Sequence, residues 1–298
     1  MVSFFPKKLK FIIFALRPKQ WVKNLFLFLP LIFGRKLFEF PENLNVFLAF
    51  ILFSVAASAV YLINDLIDVE YDRSHPTKSL RPIASGKVRR RSAVGVSTAL
   101  ILFSVFFSFI LNSQFGWIVV TYFFLNLVYS KFIKNWVILD VFCLAFFFIL
   151  RVIAGCVVAS VDFSHWIILM TGLVALFLGF NKRRQDSVSI RRPTASHRGT
   201  LAKYNVRFID QMITATTISM IVAYPLYAMD ARTIREFGTN HLLFTVPFVY
   251  YGIFRYLYLI HRFSADGDPT RILFSDRLSQ LNLALWVISC VGVVYFGI

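Results

Sequence analysis

Three carboxylates recur at helical spacing where a long apolar run ends, in the stretch NDLIDVEYDRSHPTKSLRPIASG at 64–86. Asp65, Asp68 and Asp72 are three and four residues apart, which places them on one face of a helix. Carboxylates crowded at a membrane edge are costly to bury unless a cation neutralises them. Mg²⁺ held by carboxylates commonly binds phosphate oxygens as well. With Asn64 on the same face, the stretch predicts a magnesium–diphosphate site whose metal ligands and catalytic groups are the three aspartates.

Basic residues follow the acidic cluster directly. Lys78 and Arg81 have the charge needed to bind phosphate oxygens, and we expect them to contact substrate. The cluster could instead be structural, neutralised by salt bridges to Arg73, Lys78 and Arg81. Glu70 lies about 200° around the helix from Asp68, so we expect its side chain to be exposed to solvent.

A second polar segment, RPKQWVKN at 17–24, leads into the first apolar run. Its polar side chains recur at helical spacing: Arg17, Gln20, Lys23 and Asn24. Of these, Gln20, Lys23 and Asn24 are predicted to contact substrate, because polar groups at the end of a membrane span need partners. The alternative for Trp21 and Lys23 is that they only anchor the chain at the membrane interface.

A third polar segment, FNKRRQD at 180–186, ends a later apolar run and is mainly basic. Lys182, Arg183 and Asp186 are placed much as the acidic cluster is, and they are predicted to bind an anionic substrate. The alternative is that the positive charge only marks the inner surface of the membrane.

Further charged residues stand between these segments. Tyr129 and Lys134 flank a turn between two apolar runs and are predicted to face the same site. Asp140 and Arg151 are eleven residues apart inside one run, on nearly the same helical face. Charges within a membrane are costly, so this pair either serves function or pairs with other spans, and both readings stay open. Three later aspartates are expected in a solvated loop: Asp266, Asp268 and Asp276.

Long apolar runs must position these segments. The 298-residue chain is 58% hydrophobic with a mean hydropathy of +0.68, too apolar for an ordinary soluble domain. Nine runs could cross about 30 Å of hydrocarbon: 22–38, 43–64, 92–111, 115–130, 136–160, 164–181, 208–229, 241–260 and 279–298. This predicts an all-α polytopic membrane protein, one domain over 1–298 with nine transmembrane helices in one bundle. The small residues at 54–59 are typical of close helix packing.

The positive charge is distributed asymmetrically. The net charge is +17, and most lysines and arginines fall in alternate loops, including 65–91 and 182–207. By the positive-inside rule these loops and the N-terminus face the cytoplasm, which predicts a plasma (inner) membrane protein whose site opens to the cytoplasm. Anionic lipid, and not nucleic acid, then accounts for the excess charge. The three cysteines lie inside apolar runs without metal-ligand or disulfide spacing: Cys143, Cys156 and Cys290.

Together these residues resemble the UbiA-type superfamily of intramembrane prenyltransferases. The shared features are nine helices, an Asn-Asp-x-x-Asp-x-x-x-Asp motif after the second helix and a second polar motif after the sixth. A narrower resemblance is to the branch that transfers phosphoribose to decaprenyl phosphate. It is carried by RPKQWVKN at 17–24, HPTKSLRPIASG at 75–86, LRVIAG at 150–155, KRRQD at 182–186, and RYLYL with DRLSQLNLALW between Arg255 and Trp286.

The narrower resemblance implies a Mg²⁺-dependent phosphoribosyltransferase. It would transfer the 5-phosphoribosyl group of phosphoribosyl diphosphate to a polyprenyl phosphate, giving polyprenyl-phosphoribose 5-phosphate and diphosphate. Prenyl-diphosphate users of the superfamily usually carry a second Asp-x-x-x-Asp motif, where this chain has Lys182 and Arg183 with only Asp186 acidic. A diphosphate carried by Mg²⁺ favours carboxylates and a bare monophosphate favours Lys or Arg, so one acidic and one basic motif fit two different anions.

Two other functions remain as alternatives. A prenyltransferase of the same fold would move a prenyl group from prenyl diphosphate to an aromatic or other acceptor. A transporter or lipid-binding scaffold would show charged residues near the middle of the membrane in several spans, whereas the polar residues here crowd the inner ends. The length of the lipid and association into a homo-oligomer are left open.

Overall fold

The computed structural model describes residues 7–74, 77–189, 204–262 and 276–297, and within these ranges every regular element is helical. In chain order the elements are α1 (Lys7–Leu16), a 3-10 segment that we call the strap (Pro18–Phe28), α2 (Leu29–Phe33), α3 (Glu42–Ile67), α4 (Val69–Arg73), α5 (Arg90–Leu111), α6 (Ser113–Lys131), α7 (Leu139–Ala159), α8 (His165–Ser189), α9 (Val206–Met229), α10 (Ala231–Phe237), α11 (Val246–Arg262) and α12 (Arg277–Phe296). Short 3-10 turns cover Lys78–Leu80, Ile133–Asn135 and His241–Thr245. The predictions for Asp266, Asp268 and most of the loop 182–207 lie outside the described residues.

In the described part of the chain, seven helices are long and apolar enough to cross a membrane. They are α3, α5, α7, α8, α9, α11 together with the 3-10 turn before it, and α12. These helices coincide with seven of the nine predicted runs, so the chain is a multi-pass membrane protein. The prediction of nine spanning helices is not confirmed.

The first predicted run, 22–38, is divided between the strap and α2. Proline has no amide hydrogen to give to a helix, and Pro18 and Pro30 each stand at the start of a new element. Arg35 has a φ of 59° and lies just beyond α2. The run therefore forms two short elements packed on the bundle instead of one continuous span.

The fourth predicted run forms α6, whose 19 residues extend about 28 Å. It is not among the seven because polar residues such as Gln114 and Asn126 lower its mean hydropathy. Asn126 satisfies its amide locally by donating to the carbonyl oxygen of Tyr122 at 2.7 Å. A polar group is thereby buried at little cost inside an otherwise apolar helix.

Two of the four apolar cores of the described residues hold together the helices that position the polar motifs. The first joins the strap, α3, α6 and α7 around Phe53 and Phe115, which are completely buried. The second joins α8, α9 and α11 around Phe177. Helix α7 contributes to both cores, through Phe147 to the first and Val141 to the second, so it fixes the two halves of the bundle relative to each other.

The strap lies directly against α7 at Gly155. A Cβ atom at this position would stand 2.2 Å from the carbonyl oxygen of Leu27, closer than the two atoms can approach. Only glycine leaves room for the backbone of the strap here. This close approach sets how deeply the strap lies in the bundle.

Candidate active site

The acidic motif lies where α3 ends and α4 begins. Asp65 is in the last turn of α3, Asp68 is at the junction and Asp72 is in α4. Backbone hydrogen bonds cross the junction from the Asp68 amide to Asn64 at 2.9 Å and from the Asp72 amide to Asp68 at 2.8 Å. Helical spacing is therefore retained, and Asp65 and Asp72 are both buried, with 2% and 1% exposure.

Three cations neutralise this motif. Arg17 Nη2 lies 2.5 Å from Asp65 Oδ1, and Lys134 Nζ lies 2.7 Å from Asp68 Oδ1. Arg81 Nη1 bridges the two buried carboxylates, at 3.2 Å from Asp65 Oδ1 and 2.6 Å from Asp72 Oδ2. That Arg81 reaches both Asp65 and Asp72 confirms that they share one face of the motif.

Of the three cations named in the purely structural alternative for the cluster, Arg81 pairs with Asp65 and Asp72. Arg73 instead donates to Glu70 at 3.2 Å, and Lys78 Nζ lies 5.5 Å from the centre of the Tyr71 ring. The Glu70 side chain is 73% exposed, which confirms its predicted position in solvent.

The donor set fits a magnesium ion, although it is not a closed metal site. Asp65 Oδ2 and Asp72 Oδ1 are buried oxygens that accept no hydrogen bond from any described residue. A buried carboxylate oxygen without a hydrogen-bond donor or a cation destabilises the folded protein. Mg²⁺ prefers oxygen ligands of this kind. Within the described ranges no three His, Cys, Asp or Glu side chains already converge on one point. The ion would therefore complete the site by drawing the carboxylates together.

The strap is fastened to α3 by a ladder of side-chain contacts. Trp21 Nε1 donates to Ser58 Oγ at 2.9 Å, and Asn24 Nδ2 donates to Ser54 Oγ at 2.9 Å. The contact between Arg17 and Asp65 continues the ladder at its outer end. The two serines therefore accept hydrogen bonds, beyond the packing role expected for the small residues of 54–59.

The three strap residues that were predicted to contact substrate differ in their exposure. Gln20 and Lys23 are half-buried, whereas Asn24 is completely buried. Both groups of the Asn24 amide are used within the protein, because its oxygen accepts a hydrogen bond from Arg151 Nε at 2.7 Å. Asn24 thus fixes the strap in this structure, and its contact with substrate stays a prediction.

Arg151 is a buried charge held by neutral groups. Its Nη1 donates to the Phe147 carbonyl oxygen at 2.6 Å, and its guanidinium lies 5.1–5.5 Å from three ring centres. These rings belong to Phe53, Tyr122 and Phe148. Of the two readings left open for Arg151, the contacts favour the structural one.

The basic motif on α8 is partly enclosed. Arg183 Nε lies 2.5 Å from Asp140 Oδ2 on α7, and Nη1 lies 3.2 Å from Asp186 Oδ2. The Arg183 and Asp140 side chains are 7% and 1% exposed, but Asp186 is 39% exposed. Lys182 is exposed on the same helix. Asp140 therefore holds Arg183 firmly, while the contact with Asp186 is open to exchange.

Tyr204, just before α9, completes this cluster. Its hydroxyl donates to Asp140 Oδ1 at 2.7 Å and accepts from the Ile138 amide at 2.6 Å. Burial and then the hydrogen bond to Asp140 raise the pKa of Tyr204 well above its usual value. The phenol consequently remains a donor that orients Asp140 towards Arg183.

One turn of α6 brings the acidic and basic motifs together. Ser130 Oγ donates to Asn64 Oδ1 at 2.5 Å, and the preceding Tyr129 accepts from Arg183 Nη2 at 3.3 Å. Lys134, one turn further on, reaches Asp68. The acidic motif at the end of α3 and the basic motif on α8 are thus parts of one site at the same end of the bundle.

One known family agrees with these features: a nine-residue polar motif where α3 ends and α4 begins, a second polar motif on α8, and a helical bundle around them. Residues 27–276 match the UbiA prenyltransferase family. The chain belongs to this family. It is therefore a membrane-embedded transferase.

Curated relatives of this UbiA-family chain share about a third of its residues. It is 33% identical to the decaprenyl-phosphate phosphoribosyltransferase of Corynebacterium glutamicum, over 94% of this chain and 86% of the relative. It is 32% identical to the Mycobacterium tuberculosis protein of the same name, over 95% of this chain and 94% of the relative.

A solved structure shares the UbiA fold. The UbiA homologue of Archaeoglobus fulgidus bound to GPP and Mg²⁺ has a TM-score of 0.70 and 19% identity. The match covers 97% of this chain and 99% of that chain. At this identity the likeness establishes the fold only.

Several residues of the UbiA site were not selected from the sequence as site residues: Arg17, Ser130, Asp140 and Tyr204. Arg17 begins the polar segment 17–24, and Asp140 was marked by its charge inside an apolar run. The sequence around Tyr204 gave no indication of a role in the site, because its partner Asp140 lies 64 residues earlier, on α7. Asp276, expected in a solvated loop, instead caps α12 and pairs with Arg255 at 2.8 Å.

Proposed function

We propose that this UbiA-family enzyme transfers the 5-phosphoribosyl group of phosphoribosyl diphosphate to a polyprenyl phosphate in a Mg²⁺-dependent reaction. The products are polyprenyl-phosphoribose 5-phosphate and diphosphate. One observation carries the proposal: an acidic motif with unpartnered carboxylate oxygens and a basic motif lie side by side around Tyr129 and Ser130. The activity named for the relatives from Corynebacterium and Mycobacterium supports the same assignment.

The acidic motif is assigned to the diphosphate substrate. Asp65, Asp68 and Asp72 would hold Mg²⁺, with the Asn64 amide oxygen beside them. Lys78 and Arg81 would donate to phosphate oxygens, since both lie on the short segment that faces the aspartates. Gln20 and Lys23, which are half-buried on the strap, would contact the same substrate. When bound, the metal would neutralise the charge that develops on the departing diphosphate.

The basic motif is assigned to the lipid phosphate. Lys182 is exposed, and Arg183 makes its weaker contact with the half-exposed Asp186. A lipid phosphate could replace that contact while Asp140 and Tyr129 keep the guanidinium in position. The head group would then lie next to the diphosphate substrate, with the prenyl chain between membrane helices.

The chemistry requires no strong general base. A phosphate monoester has a second pKa near 6, so it is mostly dianionic at neutral pH. One of its oxygens attacks the anomeric carbon of the ribose, and the bond from that carbon to the diphosphate oxygen breaks. The residues around the site need only position two anions and offset their repulsion.

The location of the site follows from the charge of its loops. We assign the motif end of the bundle to the cytoplasmic side of the plasma membrane, because the basic loops lie at this end. Residues 1–298 would then form one transmembrane domain with its N-terminus inside. Phosphoribosyl diphosphate would enter from the cytoplasm.

A second candidate is prenyl transfer from a prenyl diphosphate to an aromatic or other acceptor. The fold shared with a GPP-bound homologue favours it. Against it, Lys182 and Arg183 occupy the place where a second pair of carboxylates would carry a second metal ion. Cations at that place favour a bare phosphate.

The two candidates are separated by the donor that the purified protein consumes. Protein in nanodiscs would receive Mg²⁺ with either phosphoribosyl diphosphate and polyprenyl phosphate, or geranyl diphosphate and an aromatic acid. The proposal predicts diphosphate release only with the first pair, and its loss with EDTA. Release only with the second pair would refute it.

A matched pair of variants tests the acidic motif in the same assay. Asp72→Asn should reduce the rate at least about a hundredfold by removing a charged metal ligand. Glu70→Gln removes a carboxylate two residues away that is exposed and paired only with Arg73 among the described residues. It should retain the normal rate, and an equal loss in both variants would contradict the assignment.

A further inference from the structure

Two arginines lie where a metal ion would act. Arg17 and Arg81 both contact Oδ1 of Asp65, and Arg81 also contacts Asp72. Their side chains are 28% and 27% exposed, while the aspartates are 3% and 1% exposed. The guanidinium groups can therefore move towards solvent, whereas the carboxylates cannot.

Each buried aspartate uses one oxygen for these arginines and leaves the other unpartnered. The unpartnered atoms are Asp65 Oδ2 and Asp72 Oδ1. A divalent ion that binds both aspartates would add two positive charges beside two guanidinium groups. Like charges this close repel, so the metal and both arginines cannot all stay on the same carboxylates at low cost.

The backbone of each arginine is fixed independently of its ion pair. On the strap, the contacts of Trp21 with Ser58 and of Asn24 with Ser54 hold the chain that follows Arg17. The Arg81 carbonyl oxygen accepts from the amide of Ser85 at 2.9 Å. Both side chains can thus turn about a stationary backbone and still reach an anion bound at the aspartates.

Arg17 has a second contact that suits such a movement. Its guanidinium carbon lies 5.1 Å from the centre of the Tyr61 ring, one helical turn before Asp65 on α3. A cation over an aromatic face is stabilised without needing a carboxylate. The ring can support the guanidinium after it leaves Asp65.

We propose that Arg17 and Arg81 are exchangeable counter-ions: they neutralise Asp65 and Asp72 in the free enzyme and transfer to diphosphate oxygens when the metal binds. This inference rests on the proposed function, because it requires a metal–diphosphate at the acidic motif. Metal and diphosphate then bind cooperatively, since the metal alone must displace the arginines without offering them an anion. No bond is formed or broken in this exchange.

The exchange predicts opposite effects of one substitution. Arg17→Gln removes a competitor of the metal, so Mn²⁺ alone should bind about fivefold more tightly. The same variant loses a charged donor to phosphate, so inorganic pyrophosphate should bind the Mn²⁺-loaded protein about tenfold more weakly. If Arg17 only stabilised the fold, its replacement would weaken the binding of Mn²⁺ and the binding of pyrophosphate together.

The test is Mn²⁺ binding to the full-length protein in nanodiscs, followed by electron paramagnetic resonance with and without inorganic pyrophosphate. Lys131→Gln is the control, because it removes an exposed cation beside Ser130 that is not part of the acidic motif; both affinities should stay at the wild-type value. Opposite shifts in Arg17→Gln support the exchange.

Three results would overturn the inference. Parallel weakening of both affinities in Arg17→Gln would make Arg17 a structural clamp, and unchanged affinities would make it irrelevant to the site. In either case a wild-type protein that binds Mn²⁺ with pyrophosphate leaves the proposed function standing. A wild-type protein that binds no Mn²⁺ under either condition would remove the metal site, and the proposed function with it.

Discussion

Arg151 donates a hydrogen bond from Nε to the side-chain oxygen of Asn24 at 2.7 Å, and this contact joins α7 to the strap deep inside the bundle. Asn24 in turn contacts Ser54, which lies eleven residues before Asp65, or about 16 Å along α3. No described carboxylate forms an ion pair with Arg151. An intramembrane charge therefore fixes the segment from which Arg17 reaches the acidic motif.

Replacing Arg151 should loosen this segment. Arg151→Met leaves the Asn24 oxygen buried without its donor, which should lower the free energy of unfolding by about 2–4 kcal/mol. Arg151→Lys keeps the charge but not the planar group, so its loss should be smaller. Thermal unfolding of the purified variants measures both. An unchanged melting temperature in Arg151→Met would contradict this role.

Gly155 and Gly95 provide a matched pair of helix glycines. Gly155→Ala places a Cβ 2.2 Å from the Leu27 carbonyl oxygen, so the strap must shift and kcat/KM should fall about tenfold or more. Gly95→Ala meets no atom within 4 Å and should stabilise α5 by up to about 1 kcal/mol. Steady-state kinetics and thermal unfolding separate the two. Equal behaviour would show that the close approach of the strap has no functional consequence.

The two arginines of the basic motif should differ in their effect on lipid binding. Arg183→Gln removes the group assigned to the lipid phosphate, so the KM for polyprenyl phosphate should rise about tenfold or more, while that for phosphoribosyl diphosphate changes little. Arg184 pairs with Asp210 on α9 instead. Arg184→Gln should leave both KM values near those of the wild type. A selective rise in the KM for phosphoribosyl diphosphate in Arg183→Gln would reverse the assignment of the two motifs.

The ion pair between Arg255 and Asp276 should give a pH-dependent stability. Hydrogen bonds from Arg255 and Ser279 hold the pKa of Asp276 well below its usual value. A carboxyl whose pKa is lowered in the folded state stabilises the protein above its unfolded pKa of about 4 and loses that effect as the pH falls towards the folded value. Asp276→Asn should therefore lower the melting temperature at pH 7, and the difference should shrink below about pH 4. A difference that is independent of pH would exclude this origin.

The sequence predicted the parts of the site that depend on local spacing. Asp65 and Asp72 share a face because helical hydrogen bonds continue through Asp68. The seven helices that are long and apolar enough to cross a membrane likewise follow from composition, since long apolar runs have few alternatives to a helix in a membrane. The exposure of Glu70 followed from the same helical geometry.

The features that the sequence did not predict depend on tertiary contacts. Substrate contact by Asn24 stays a prediction, but the sequence did not indicate that Ser54 and Arg151, from two other helices, would bond to its amide. The run 22–38 was expected to form one spanning helix, but it is divided near Pro30 between the strap and α2. The spacing of residues within one helix does not reveal which residues of another helix will contact them.

The most direct test of the central claim follows two labels of phosphoribosyl diphosphate, ¹⁴C in the ribose and ³²P in the terminal phosphate of the diphosphate. Membranes that contain the protein would receive polyprenyl phosphate and Mg²⁺, and the lipid would then be extracted into organic solvent. Phosphoribosyl transfer predicts ¹⁴C in the lipid and ³²P in the aqueous phase as diphosphate, with neither movement in EDTA. If both labels enter the lipid, or if ¹⁴C stays in the aqueous phase in the presence of Mg²⁺, the assigned reaction is wrong.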